Sequence, residues 1–248
     1  MKNIFALLLI LTFSFTAFAD YKYQVSGYNG DVDTGTEDVW VSGGAYAFPA
    51  TAAASNVISS SANDAAAGTG ARTIRVTGLD ANLKTISEVA TLNGTTLVAL
   101  TGLYLRINMI EVLTAGSGGV NAGTIDARQS STVYSRILAG DNRARTAVFT
   151  VPANGINNAL LKNLACSSNN AVSGAVVCRV WTRKSGGLFQ NRLEVAVHGA
   201  NNNFGNYVFA APLALSPGED VRIEATSTAD NTIVTVNADI VASSAPLF

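Results

Sequence analysis

From about residue 50 onward, apolar side chains recur at every second position, and Gly, Asn, Asp or Pro punctuates the runs. A helix needs a period near 3.6, so this pattern predicts strands with one face buried and one wetted. Leu103, Leu105, Ile107 and Met109 alternate with Tyr104, Arg106 and Asn108. Leu193, Val195 and Val197 alternate with Arg192, Glu194, Ala196 and His198, and Val221, Ile223 and Ala225 with Arg222 and Glu224. The last such run sets Val234, Val236, Ala238 and Ile240 against Thr235, Asn237 and Asp239. Turn chemistry separates the runs at Asp80-Ala81-Asn82, Asn93-Gly94, Gly140-Asp141-Asn142, Asn154-Gly155, Gly186-Gly187 and Ser216-Pro217-Gly218. The alanine clusters at 51–54 and 64–67 are too short to hold a helix alone. The fold class expected is all-β, in two β-sandwich domains of which the second is jelly-roll-like.

Met1 to Ala19 combines Lys2, an apolar run from Ile4 to Phe15 and Ala17-Phe18-Ala19 ahead of Asp20, the pattern of a cleavable secretory signal. The run is too short for a spanning helix, so no membrane association is expected of the mature chain. Residues 20–45 are expected to be an extended amino-terminal segment and 46–127 a small sandwich or open barrel of six strands. The Gly-rich passage from Ala115 to Gly123 marks either a domain boundary or a long hairpin loop, and the join is expected near residue 128. Residues 128–248 then hold eight strands, near 132–138, 143–151, 157–165, 175–183, 188–198, 206–213, 221–227 and 232–242.

Few residues offer chemistry. The chain holds one His and two Cys, which excludes most metal clusters. His198 sits on the polar face of its strand with Glu194, an arrangement that an ordinary wet face also produces. No nucleophile elbow, zinc-protease or nucleotide-binding motif is present. Gly68-Thr69-Gly70 looks like the start of a phosphate loop, but a strand follows it rather than a helix, and it reads as a turn. Asp31, Asp33, Glu37 and Asp38 have alternate-oxygen spacing, making them weak candidates for a metal site; the glycine and terminal glutamate of a full calcium loop are missing. Asn93-Gly94-Thr95 fits the glycosylation triplet and also a hairpin turn. Arg179, Arg183, Lys184 and Arg192 form a small basic patch. Cys166 and Cys178 lie in neighbouring core-facing runs, Cys166 expected to share its face with Leu160 and Leu164; they are either bridged or two buried thiols. No cofactor is expected.

Charge is sparse, 13% of residues, with a formal net charge of −1. That balance argues against a general nucleic-acid binder. Divided at residue 128, five basic against ten acidic side chains in 20–127 give −5, and ten against seven in 128–248 give +3. Opposed halves predict head-to-tail or interleaved contacts between subunits, sensitive to salt.

The run SSSANDAAAGTGARTIRVTGLDANLKTISEVATLNGTTLVAL, from Ser59 to Leu100, and LYLRINMIEVLTAGSGGVNAGTI, from Leu103 to Ile125, resemble virion structural proteins of tailed, often marine, bacteriophages. EDVWVSGGAYAFP ahead of them resembles the same family's lead-in, so the match spans roughly Asp31 to Ile125; the later half resembles capsid-decoration and tail-fibre sandwiches only in kind. The resemblance implies a non-enzymatic particle component on a head or tail exterior, contacting other virion proteins and itself, as a trimer for example, and a host-surface glycan. It supplies no catalytic residues. A secretory signal is a departure from that family, and it motivates an alternative: an exported cell-surface adhesin or carbohydrate-binding sandwich, with polar loops such as Asn201-Asn202-Asn203.

Overall fold

In the computed structural model the described residues are 20–169, 174–199 and 203–244, and every regular element among them is a strand. The signal-like segment 1–19 and most of the Asn201-Asn202-Asn203 loop lie outside them. The strands are β1 (Asp20–Val32), β2 (Glu37–Asp38), β3 (Ala53–Ser59), β4 (Ala71–Leu79), β5 (Thr85–Thr91), β6 (Val98–Tyr104), β7 (Arg106–Ala115), β8 (Ile125–Gln129), β9 (Thr132–Ile137), β10 (Val148–Thr150), β11 (Asn158–Asn169), β12 (Gly174–Arg183), β13 (Gln190–Gly199), β14 (Asn203–Leu215), β15 (Asp220–Ser227) and β16 (Thr232–Ser243).

Two sheets, ordered β1-β16-β11-β14 and β10-β15-β12-β13, close over one core, with β2 extending the second sheet beside β15. Eight antiparallel strands in this crossed order form a jelly roll. Val234, Val236, Ala238 and Ile240 all point into its core, as the alternation requires. The other two sheets, β6-β3-β8-β9 and β5-β4-β7, pack on a separate core that includes Ile74, Val76, Tyr104, Ile110 and Ile125.

The two bodies are not consecutive in the chain. β1 pairs with β16 from Asp20↔Ser243 to Val32↔Thr232, so the amino-terminal segment supplies a jelly-roll strand. Of the eight strands expected beyond residue 128, that near 132–138 is β9, which joins the smaller body; β1 takes the eighth place. Residue 128 itself lies within β8. The smaller body is thus an insertion between the first and second jelly-roll strands. Its outgoing and returning segments run side by side: Trp40 bridges Thr146, and Ala147 N–H donates to Val39 O at 3.0 Å. They pass so close over β1 that a Cβ on Gly27 would stand 2.4 Å from both Ala147 Cβ and Val39 O.

Local register differs from the expected pattern where the chain changes sheet. The single alternation drawn through 103–109 is interrupted at Leu105, between β6 and β7, and Tyr104 is buried while Leu103 faces out. Asn93-Gly94 opens a tight turn closed by Thr96 N–H to Asn93 O at 3.0 Å, but the strands beside it do not pair with each other, β5 pairing with β4 and β6 with β3; the turn is a corner between sheets, held by Gly94 N–H to Asp64 O at 2.7 Å. The Ala115–Gly123 passage is a crossover from β7 to β8, folded back so that Gly116 N–H donates to Gly70 O. A register shift between Leu161 and Asn163 turns Leu161, rather than Leu160, into the core beside Leu164 and Cys166.

Cys166 on β11 and Cys178 on β12 are bonded across the two jelly-roll sheets, both fully buried. The loop they close is short. Reduction, or the double change Cys166→Ala and Cys178→Ala, is expected to lower unfolding free energy by about 3 kcal/mol in the chain-entropy picture. Denaturant titration with and without reductant measures it.

Candidate functional site

The most highly organised group of charged side chains lies where the inserted body meets the jelly roll. Arg106 opens β7 and reaches Asp220, the first residue of β15, by two hydrogen bonds, Nε to Oδ1 at 3.0 Å and Nη2 to Oδ2 at 3.1 Å. Their side chains are only 11% and 3% exposed. Arg183 Nη2 donates to the same Asp220 Oδ2 at 2.6 Å, and Thr150 Oγ1 to Oδ1 at 2.6 Å. Arg106 Nη1 also donates to Pro49 O at 2.7 Å, and Asn108 exchanges two hydrogen bonds with the Thr150 backbone. One carboxylate therefore gathers an arginine from each body.

Aromatic rings alternate with the guanidinium groups. Phe48 lies under Arg106 at 5.2 Å and Arg183 at 4.8 Å; Phe189 lies under Arg183 at 4.4 Å and Arg222 at 4.3 Å. Such contacts strengthen when shielded from water. Trp40, Tyr46 and Val148 form a small apolar cluster beside the ladder. On the opposite side of the junction Thr85 N–H donates to Asn154 Oδ1 at 2.7 Å and Ala153 N–H to Leu83 O at 2.8 Å. Between these contacts lies a cavity of about 220 Å³ lined by Tyr23, Val25, Leu79, Met109, Arg143 and Phe149, smaller than the usual range for drug-sized ligands.

A second organised point lies within the inserted body. Asp64, with no exposed surface, accepts from Ser59 Oγ at 2.6 Å and from the backbone N–H groups of Ala71, Ala122 and Gly123 at 2.7, 2.8 and 2.8 Å. Gly70 has no room for a side chain there: a Cβ would stand 2.1 Å from Asp64 Oδ1. This carboxylate ties the Gly68-Thr69-Gly70 turn to the crossover before β8.

The residues singled out in the sequence are dispersed. Asp33 accepts from Asn231 N–H at 3.4 Å and hydrogen-bonds Asp230, which holds the Asp230 carboxyl above the ordinary carboxylate range. Glu37 Oε2 instead accepts from Asn29 Nδ2 and Gly44 N–H, and Asp38 Oδ2 from Tyr46 N–H at 2.6 Å. No group of three metal-ligating side chains converges among the described residues. His198 is exposed, and Glu194 bonds Arg179 and Asn191. Of the basic patch, Arg179 and Arg183 are ion-paired, while Lys184 and Arg192 line a shallow depression with Glu219. Divided by fold, charge also redistributes: residues 45–147 hold eight basic and six acidic side chains, +2, and the jelly-roll remainder of 20–248 seven and eleven, −4. The opposition persists with its sign reversed, because the acidic amino-terminal segment belongs to the jelly roll.

Burial pushes the Asp38 carboxyl up to about 6, and Glu224 beside it is raised for the same reason. Between pH about 4 and 6 the folded chain holds a proton at Asp38 that the unfolded chain has released, so this group makes stability fall as pH rises through that window and level off above it. Asp38→Asn, which keeps an acceptor for Tyr46 N–H, is expected to flatten that segment of a stability-against-pH curve measured by urea unfolding.

No family model matches the chain, and no curated protein matches it. Among solved structures, it overlays loosely on a structure of the infectious bursal disease virus Gt strain, at 11% identity over 94% of this chain and 74% of the other, with a TM-score of 0.25. The VP2 subviral particle of the same virus gives 11% identity over 91% and 70%, with a TM-score of 0.22. Overlays this loose bear no argument about fold or role.

Proposed function

We propose that this chain is a non-enzymatic structural subunit of a bacteriophage particle, of the capsid-decoration, cement or tail-fibre kind. It acts through contacts with other virion proteins and with copies of itself. One observation carries the reading: the outer face of the sheet β1-β16-β11-β14 is built mostly of uncharged side chains. In register across it stand Tyr28, Thr235, Ser167 and Phe204, then Ser26, Asn237, Ala165 and Asn206, then Gln24, Asp239, Asn163 and Val208. Asp239 is the one formal charge in these rows, and it is bonded to Asn163 Nδ2 at 2.7 Å. A sheet face with few charges, Lys22 and Lys162 standing beside these rows, suits protein contact. Jelly rolls recur in viral capsid and lectin domains, which supports the reading by analogy. The phage-like wording maps largely onto the inserted body, β3 to β7 and the start of β8. Mass spectrometry of purified virions tests the proposal: peptides from both bodies in every particle preparation support it, and their absence from otherwise complete particles overturns it.

The bridge between Cys166 and Cys178 favours a second reading, an exported cell-surface adhesin or carbohydrate-binding sandwich, because such bonds persist in oxidising compartments. Amino-terminal sequencing of protein recovered from medium and from particles separates the two. A start at Asp20 in medium supports export, and Met1 in particles supports retention.

A further inference from the structure

β14 is an edge strand of thirteen residues, NFGNYVFAAPLAL, without a single charge. Strand edges expose unpaired backbone groups, and proteins ordinarily guard them with charges, proline, brevity or a covering segment. The other edges among the described strands are guarded in these ways. β1 carries Asp20, Lys22 and Asp31; β13 carries Arg192, Glu194 and His198; β10 has three residues. β5 carries Glu88, β7 Arg106 and Glu111, and β9 Arg136. β6 is uncharged, but Glu88 accepts its Thr101 and Gly102 N–H groups. On β14, Pro212 and the shifted register protect only the second half. Among the described residues no strand pairs with the edge from Phe204 to Val208, and it bears exposed apolar side chains: Phe204 is 67% exposed, Tyr207 44% and Val208 67%.

We propose that residues Phe204 to Val208 pair antiparallel with the same residues of a second copy, about a two-fold axis at Asn206, joining two four-stranded sheets into one of eight strands. The sequence is self-complementary in that register. Phe204 falls opposite Val208 of the other copy, an aromatic and β-branched pair on the outer face. Gly205 falls opposite Tyr207, whose ring covers the cross-strand glycine on the inner face. Gly205 faces inward, since a Cβ there would meet Val195 and Val197. Asn206 meets Asn206, whose amides can donate to and accept from each other. No like charges oppose each other anywhere along the pairing. A closed two-fold pairing also consumes the open edge and stops growth at a dimer. The inference deepens the assembly reading and rests on it for its purpose, while the pairing stands on the strand itself.

Cysteine cross-linking of the purified full chain reads the register directly. Both native cysteines are already bonded to each other. In the proposed register the two Asn206 Cα atoms stand about 4.5–5.5 Å apart, within disulfide reach, whereas the two Phe204 positions are offset by about 13 Å. Mild oxidation is therefore expected to give a covalent dimer with Asn206→Cys, none with Phe204→Cys alone, and a heterodimer when Phe204→Cys and Val208→Cys chains are mixed. By sedimentation, Val208→Lys is expected to weaken dimerisation about tenfold or more, and Leu188→Lys, at an exposed apolar site elsewhere, to leave it unchanged. A monomer at every concentration, or cross-linking equal at positions 204 and 206, overturns the pairing. The outcome is separable from the virion reading: a monomeric chain found in particles sinks the pairing alone, and a dimer absent from particles sinks the virion role alone.

Discussion

Asp220→Ala is expected to cost about 3–5 kcal/mol, the range seen when one partner of a buried ion pair is removed. The change strips Arg106 and Arg183 of a shared carboxylate and leaves the nearly buried guanidinium of Arg106 beside Phe48 with only backbone and Thr150 oxygens to accept from it. Because Arg106 belongs to the inserted body and Asp220 to the jelly roll, the loss falls on the coupling between them. Calorimetry is expected to resolve two unfolding transitions in the variant where the parent chain shows one. Asp220→Asn, which keeps an acceptor for Thr150 and one arginine, should fall between the two. A cycle combining Asp220→Ala with Arg106→Ala isolates the pair, and a coupling energy near zero would show that the bodies are held together by their other contacts.

Asp64→Ala is expected to cost about 4 kcal/mol or more, since two buried backbone N–H groups, a partly buried third and the Ser59 hydroxyl lose their acceptor together, at roughly 1–3 kcal/mol for each unsatisfied buried group before relaxation. The damage should be confined to one body. Hydrogen exchange is expected to lose protection at Ala71, Ala122 and Gly123 while β11, β12 and β16 of the jelly roll keep theirs. Uniform loss across both bodies would mean that the inserted body cannot unfold by itself. Gly70→Ala is expected to act in the same direction, because its methyl group would displace the Asp64 carboxylate.

Strand identity was legible wherever one face is strictly apolar, as in β15 and β16, because a period of two fixes both element and buried face. β1 was not legible as a jelly-roll strand: its inward positions include Gly27, kept small by the close passage of Ala147 and Val39, and Asn29, whose amide donates to Glu37 Oε2 and Asp38 O, so neither follows hydrophobicity. Its partner lies at the far end of the chain, and no local pattern carries that pairing. The junction was hidden for a related reason. Arg106 sits in LYLRINMI on what reads as a wetted face, and its carboxylate partner is 114 positions away. Phe48 and Phe189, which stack on the arginines, belong to short irregular stretches with no periodicity to read. Asp64 gave a faint signal, an acid set among alanines and followed by Gly-Thr-Gly, a place where a buried carboxylate can collect backbone donors.

The pairing of β1 with β16 also sets a timetable. At about 5–20 residues per second of synthesis, roughly 10–40 s separate the emergence of β1 from that of its partner, and the jelly-roll sheet it borders cannot close in that interval. The inserted body, whose strands all lie between those two, has no such wait. It can fold first on its own short-range contacts, bring Val39 and Ala147 together, and leave the first strand already held at the mouth of the sheet when the last one arrives.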